Sequence, residues 1–352
     1  MNAFYELCAL TLTDRKEHRP FESNIDWQDI ADAADAYLMT QIVFEGIKRS
    51  SLNPYTTPNY ADLQERSEQD GLNQLHIESQ CRDIIRGLYA DGAAFVPVGA
   101  FLTKMAYPST QLRFLKELEI YVPDPQEADH TLTRLGYTLK DSFEDRKYFV
   151  KDDAITVTVL YEGVSPDAEF ADVFNYSKLL HADNCVSTRI FDVPTRIPTQ
   201  ETAIEYLIRQ AAQAFLCGGL SPLEVWDILL FAHSFRPDKN KLFAPLRRDG
   251  LALFASAVFA IGSEYFSDEF DDYFITSCMI TPEITEELCR DTLLANPGWD
   301  MWSNRRQFRV PMRYRKNSAA ARFFDVLFHN GPAQPLNFDR ERLPLLSDLG
   351  LV

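Results

Sequence analysis

The sequence lacks the motifs that mark most metal-dependent hydrolases. Its six cysteines, Cys8, Cys81, Cys185, Cys217, Cys278 and Cys289, contain no CxxC pair, so zinc-ribbon spacing is absent. Its six histidines are scattered, with no HExxH helix pair, so a zinc hydrolase has no support. There is also no long apolar run. The best, Leu251 to Ile261 (LALFASAVFAI), falls well short of the ~20 residues a spanning helix needs and reads as a buried helix. The N-terminus, MNAFYELCALTLTDRKEH, carries Glu6 in its apolar stretch and no basic lead, unlike a signal peptide. Positive charge is scarce: 35 Lys and Arg stand against 52 Asp and Glu, a net charge of −17. Such a surface repels phosphate backbones, so general nucleic-acid binding is not expected. No internal repeat or low-complexity segment is visible. The unpaired thiols and the missing membrane and export signals point to a cytoplasmic protein.

What is present is an ordinary globular composition, 46% hydrophobic and 25% charged over 352 residues, enough for about two domains. Residues 1–92 read as helical. Asn24 or Asp26 caps a helix with Ile30, Ala34, Leu38, Ile42, Val43 and Ile47 on one face, and Leu72, Leu75, Cys81, Ile84, Ile85 and Leu88 mark a second helix ending at Asp91-Gly92. The pattern changes at residue 93. Ala94 to Val98 is strand-like and ends at Gly99; Glu117 to Val122 alternates, with Leu118, Ile120 and Val122 facing one way. Pro123-Asp124-Pro125 opens a helix that stops at Gly136, and Tyr148 to Val150 with Ile155 to Leu160 forms a hairpin across Asp152-Asp153. From about residue 200 helices return, including Ala203 to Leu216 and Leu223 to His233, before an extended tail from Pro332. The expectation is an α+β protein: a small mixed sheet with helices over 93–195, an N-terminal helical region over 1–92, and a C-terminal helical domain with an extended tail over 196–352.

Glu117-Leu118-Glu119 carries the chemistry. Two acids separated by one residue on a strand point to the same face, where both can hold one hard cation such as magnesium. Gly99-Ala100, eighteen residues before Glu117, can bring backbone N–H groups near a phosphate at a helix start. As bare pattern this is weak, because an acid-x-acid pair on a strand is usually only solvated.

The stretch VPVGAFLTKMAYPSTQLRFLKELEIYV, Val96 to Val122, resembles the bacterial family of uncharacterised nucleotidyltransferases. That family has a turn LKG-A, a tyrosine eight residues after its glycine, an L-R pair and then D-I-D-L-L-V. Gly99, Ala100, Tyr107, Leu112, Arg113 and Glu117 to Val122 stand at those spacings. The preceding helices, from Ile25-Asp26-Trp27 to Gly92, and the later Leu223 to Phe231 with Asp227, extend the resemblance over roughly residues 20–235. It implies a nucleotidyltransferase-like fold with Glu117 and Glu119 as catalytic, metal-holding acids. Gly99, Ala100 and Arg113 would contact the nucleotide, magnesium would be the cofactor, and a nucleoside triphosphate would give up its nucleoside monophosphate to an unknown acceptor. The departures fall on the chemistry. Glutamates replace aspartates at 117 and 119, and Val98 replaces the lysine before the glycine. Thr156 and Thr158 occupy the strand where a third carboxylate belongs, with Asp152, Asp153 and Glu162 only at its ends. The alternative is therefore a catalytically degenerate relative, a nucleotide-binding or protein-interaction module.

Other features have blander readings. Arg113 could equally pair with Glu117 or Glu119. Arg305, Arg306, Arg309, Arg313, Arg315 and Lys316 form one basic cluster, which could take an anion, an RNA end or an acidic partner but reads first as salt bridging to the chain's own acids. Glu264, Asp268, Glu269, Asp271 and Asp272 read as a solvated helix face. Trp299 and Trp302 read as core anchors before they read as base-stacking residues.

Overall fold

In the computed structural model the described residues are 2–13, 21, 25–52, 57–143, 145–162, 176–217, 221–249 and 251–263. The chain divides into two compact units, one of Met1–Leu12 and Arg19–Tyr206, the other of Thr13–His18 and Leu207–Val352.

The first unit begins with three helices: α1 (Asn2–Leu12), α2 (Trp27–Ala36) and α3 (Thr40–Arg49). Asp26 caps α2, accepting from the amides of Gln28 and Asp29 at 3.0 and 3.1 Å. The single apolar face expected from Ile30 to Ile47 is broken into α2 and α3, because Leu38 takes a left-handed φ of 59° between them. α1 lies against α3, and Arg49 donates to the carbonyls of Leu10 and Thr11 at 3.2 and 3.0 Å, satisfying orphan acceptors at the end of α1.

α4 (Tyr60–Ala90) runs 31 residues and closes at Gly92, where φ is 80°. Its inner face differs from the one read in the sequence. Leu72 and Leu75 are exposed at 64% and 54%, whereas Gln74 is buried.

A five-stranded sheet follows, built from β1 (Val96–Val98), β2 (Glu117–Tyr121), β3 (Thr138–Ser142), β4 (Arg146–Val150) and β5 (Thr156–Leu160). The strand order is β1-β2-β5-β4-β3, and only β2 and β5 are parallel. α5 (Ala100–Thr103) and short 3₁₀ turns at Lys104–Ala106 and Thr110–Leu112 connect β1 to β2. α6 (Pro125–Arg134) connects β2 to β3; Asp124 caps it, Pro125 opens it, and Gly136 with φ 86° ends it. The core lies on one sheet face. Leu118, Ile120, Phe149, Val157 and Val159 pack with Cys81, Ile84, Ile85 and Leu88 of α4 and with Ala128 and Leu132 of α6. Burying each large aliphatic there contributes about 1.5–3 kcal/mol.

α4 also pins the entrances of the two parallel strands. The Gln80 side chain accepts from the Ile155 amide at 2.7 Å and donates to the Asp153 carbonyl at 3.1 Å. Gln74 accepts from the Leu115 amide at 3.2 Å.

α7 (Tyr176–Leu179) leads into a separate hairpin, β6 (Cys185–Ile190) with β7 (Val193–Pro198). Its tight turn places both Phe191 and Asp192 at positive φ, and β7 lies beside β1 and α4. α8 (Gln200–Cys217) follows, with its stretch to Tyr206 belonging to this first unit.

In the second unit, α9 (Pro222–Phe235) starts with a full capping box between Ser221 and Glu224 and ends at left-handed Arg236. α10 (Lys239–Arg248) and α11 (Ala252–Ser263) follow, with Leu242, Phe243, Leu246, Phe254 and Phe259 buried. Arg209, buried, pairs with the half-buried Asp249 at 2.5 Å, and Asp227 in α9 is 4% exposed. Among the described residues, no helix is long and apolar enough to cross a membrane.

Candidate functional site

The sheet face opposite the core is polar. β2 alternates, so Leu118 and Ile120 enter the core and Glu117 and Glu119 point the other way. Register extends this face across four strands: Val98 pairs with Glu119, Glu119 with Thr158, and Thr158 with Tyr148. Glu117 pairs with Thr156 in the parallel ladder. The two acids thus stand side by side, next to the strand that ends at Gly99.

The strand expected to carry a third acid presents hydroxyls. The Thr158 hydroxyl donates to Glu117 Oε2 at 2.6 Å. This neutral donor ties one oxygen of Glu117. Glu119 is buried at 7% exposure, and Glu117 is partly exposed.

Tyrosines and one arginine complete the face. Arg146, buried on β4, is gripped by the Asp145 carboxylate, with Nη2 2.7 Å from Oδ2. Burial disfavours its charge, yet the hydrogen bonds and charge of Asp145 outweigh this and hold the guanidinium firmly protonated. Tyr176 of α7 and Tyr206 of α8 place their ring centroids 5.0 Å apart. Burial, and then the nearby Glu119 carboxylate, push the Tyr206 hydroxyl well above the usual tyrosine range, with Tyr176 and Glu117 adding to the shift. Tyr206 therefore remains a protonated donor facing acids. None of Arg146, Tyr148, Tyr176 or Tyr206 stands out in the sequence. Arg146 lies just before the apolar run that marks its strand, and the tyrosines come from three separate segments, β4, α7 and α8.

Gly99 adopts φ 62° and ψ −143°, a region open essentially to glycine alone, and its carbonyl accepts from the amides of Leu102 and Thr103. Ala100 starts α5 and is partly buried at the edge of the core. Arg113 is buried at 7% exposure just after the second 3₁₀ turn, and its guanidinium donates to the Phe114 carbonyl. Beside it lies Lys104, likewise buried.

Magnesium bound by this face would find two carboxylates, Glu117 and Glu119. Among the described residues no three of His, Cys, Asp and Glu gather as a metal cluster. Two acids suit one ion completed by water or phosphate oxygens; a pair of ions about 3.5–4 Å apart needs further bridging carboxylates. The basic cluster from Arg305 to Lys316, the acidic run from Glu264 to Asp272, and Trp299 and Trp302 lie outside the described residues.

A sequence profile of a family described as uncharacterised nucleotidyltransferase matches residues 23–267. No curated protein matches the chain. Among solved structures, the antibiotic-resistance factor ANT(2'')-Ia in solution is similar over 47% of this chain and 86% of its own, at 11% identity and a TM-score of 0.36. The same factor in complex with adenylyl-2''-tobramycin is similar over 45% of this chain and 88% of its own, at 11% identity and a TM-score of 0.34.

Proposed function

The chain belongs to the family of uncharacterised nucleotidyltransferases, and from that premise we propose that it binds a nucleoside triphosphate with one magnesium ion and transfers the nucleoside monophosphate weakly or not at all. The observation that carries this reading is the bond from Thr158 to Glu117 at 2.6 Å. It occupies the strand position where a third carboxylate would complete a two-ion site. Glu117 and Glu119 would hold the ion, Gly99 and Ala100 would offer the close backbone, and Arg113 would offset phosphate charge. Magnesium supplies charge neutralisation on the phosphates when bound. Each glutamate reaches about one methylene further than the aspartate it replaces, and a misplacement of ~1 Å can cost ~10²-fold in rate.

A second reading, an active transferase with an unknown acceptor, is favoured by the placement of Glu117 and Glu119 on one face beside the strand leading to Gly99. Calorimetry with each triphosphate and magnesium, followed by a radiolabel transfer assay, separates the two. Weak binding that is lost in Glu119→Gln, with no label moved, supports the first. Robust transfer abolished by Glu119→Gln establishes the second. If nothing binds and Glu117→Gln changes nothing, both are wrong, and function lies on an interaction surface, with residues 305–316 the first to test.

A further inference from the structure

Phe191 is an unfavourable residue for the turn it makes. The β6–β7 hairpin closes through Phe191 and Asp192, with Ile190 paired to Val193 across it. Their φ angles are 50° and 66°. A hairpin turn with both φ positive favours glycine, asparagine or aspartate, and a bulky side chain there is a true outlier. Asp192 fits that rule and Phe191 breaks it. Little within the hairpin offsets the strain. Two paired strands alone are marginal in water, and the side-chain bond across the turn, from Arg189 to the Asp192 carbonyl, is exposed. Such strain persists where the surroundings over-determine it, and it gathers at working sites.

The surroundings that hold Phe191 are α4 and α5. The Arg82 guanidinium of α4 lies over its ring, 5.2 Å from the centroid. Phe101 of α5 meets the ring edge to face, with centroids 6.1 Å apart and planes at 61°. Phe101 stands two residues after Gly99, in a helix of 4 residues that is too short to persist on propensity alone. The Gly99 carbonyl accepts from the amides of Leu102 and Thr103, so Phe101 lies inside the hydrogen-bonded turn that Gly99 opens. β7 also lies beside β1, the strand that delivers Gly99. The hairpin thus holds this turn at its strand and at its helix. Val98, one residue before Gly99, pairs with Glu119, so the turn so held borders the acid pair.

We propose that Phe191 is a positioning residue: its ring, presented by a strained turn, clamps Phe101 and thereby fixes the Gly99 turn beside Glu119. The clamp stands on these contacts; that it serves nucleotide binding rests on the function proposed above.

The test uses the full chain. Amide hydrogen exchange is followed without ligand, and calorimetry is run with each common ribonucleoside triphosphate and magnesium. In the natural sequence the Leu102 and Thr103 amides should be protected well beyond an unstructured chain. Phe191→Gly suits the turn and removes the ring. It should speed exchange at Leu102 and Thr103 at least tenfold, leave the amides of β2 and β5 unchanged, and weaken triphosphate binding at least tenfold. Phe191→Asn, which also accepts positive φ, should do the same. Phe191→Tyr keeps the ring and should keep the natural values, as should Asp192→Gly, which eases the same turn without touching the ring. Unprotected Leu102 and Thr103 amides in the natural sequence overturn the clamp without any variant having to fold. So do natural exchange rates in Phe191→Gly and Phe191→Asn. So does acceleration spread evenly over β2 and β5, which marks an ordinary core residue. Local acceleration with unchanged triphosphate affinity keeps the clamp and removes its part in binding. Local acceleration in a protein that binds no triphosphate keeps the clamp and overturns the function proposed above instead.

Discussion

The Thr158 hydroxyl and the Glu117 carboxylate meet at 2.6 Å across two parallel strands, although Thr158 stands in register with Glu119, two residues further along β2. Replacing that threonine by an acid should convert a satisfied pair into a metal-demanding triad. Without magnesium, Thr158→Asp should lower stability by about 1–3 kcal/mol, because a third buried carboxylate faces two others. Millimolar magnesium should restore the loss and bind at least tenfold more tightly than to the natural sequence. Equal melting temperatures with and without the ion would refute the assignment of this face.

Arg146 and Asp145 test the same face by stability alone. Their side chains are 8% and 16% exposed and joined by a doubly bonded fork. Asp145→Ala leaves a buried guanidinium without its carboxylate, which typically costs about 3–5 kcal/mol. Urea unfolding should show the midpoint fall accordingly. A loss under 1 kcal/mol would mean that water reaches Arg146.

Gly46 fixes how closely α3 approaches α1. A methyl group there would meet the carbonyl, C and Cα of Leu7, all backbone atoms that cannot rotate aside. Gly46→Ala should therefore destabilise by about 1–3 kcal/mol through overpacking, despite the better helix propensity of alanine. An increase in melting temperature would show that the helices slide apart freely.

Asp91 supplies a pH signature. The Thr131 hydroxyl and the Arg134 guanidinium, each 2.7 Å from its Oδ2, hold its carboxyl below the usual aspartate range. A depressed folded pKa stabilises above the unfolded value, near ~4, and that stability is lost as pH falls through the folded value. Asp91→Asn should melt lower than the natural sequence at pH 6, and the two curves should converge as the pH falls through the folded carboxyl's depressed value. Parallel curves from pH 6 to 2 would contradict it.

Much of the sheet was legible because β2, the β4–β5 hairpin and the Pro125 helix carry strong local signals: alternation, a turn and a capping pair. β3 was not. Its residues Thr138–Ser142 are nearly all exposed on an edge, so no apolar alternation marks them. The β6–β7 hairpin was hidden because its turn uses Phe191 and Asp192 at positive φ, where glycine or asparagine would normally signal it, and because β7 contains Pro194 and Pro198. The acid pair could be read from a two-residue period. Its surroundings could not. Tyr176 and Tyr206 reach the face only through the tertiary fold, and Gln74 looks like any solvated helix residue until α4 rotates its leucines outward.

The grip of α4 on the starts of β2 and β5 separates the shape of this face from its chemistry. A slip of β2 by one residue would turn Leu118 to the polar face and the glutamates into the apolar core, and it would pull the Leu115 amide from Gln74 at the same time. Because alignment is enforced from behind the sheet, the side chains in front bear little of that duty. An aspartate can lengthen to a glutamate, or a carboxylate give way to a threonine, without loosening the strands that display them. On the function proposed above, residues 117, 119 and 158 can therefore vary in chemistry while α4 keeps the strands that carry them in register.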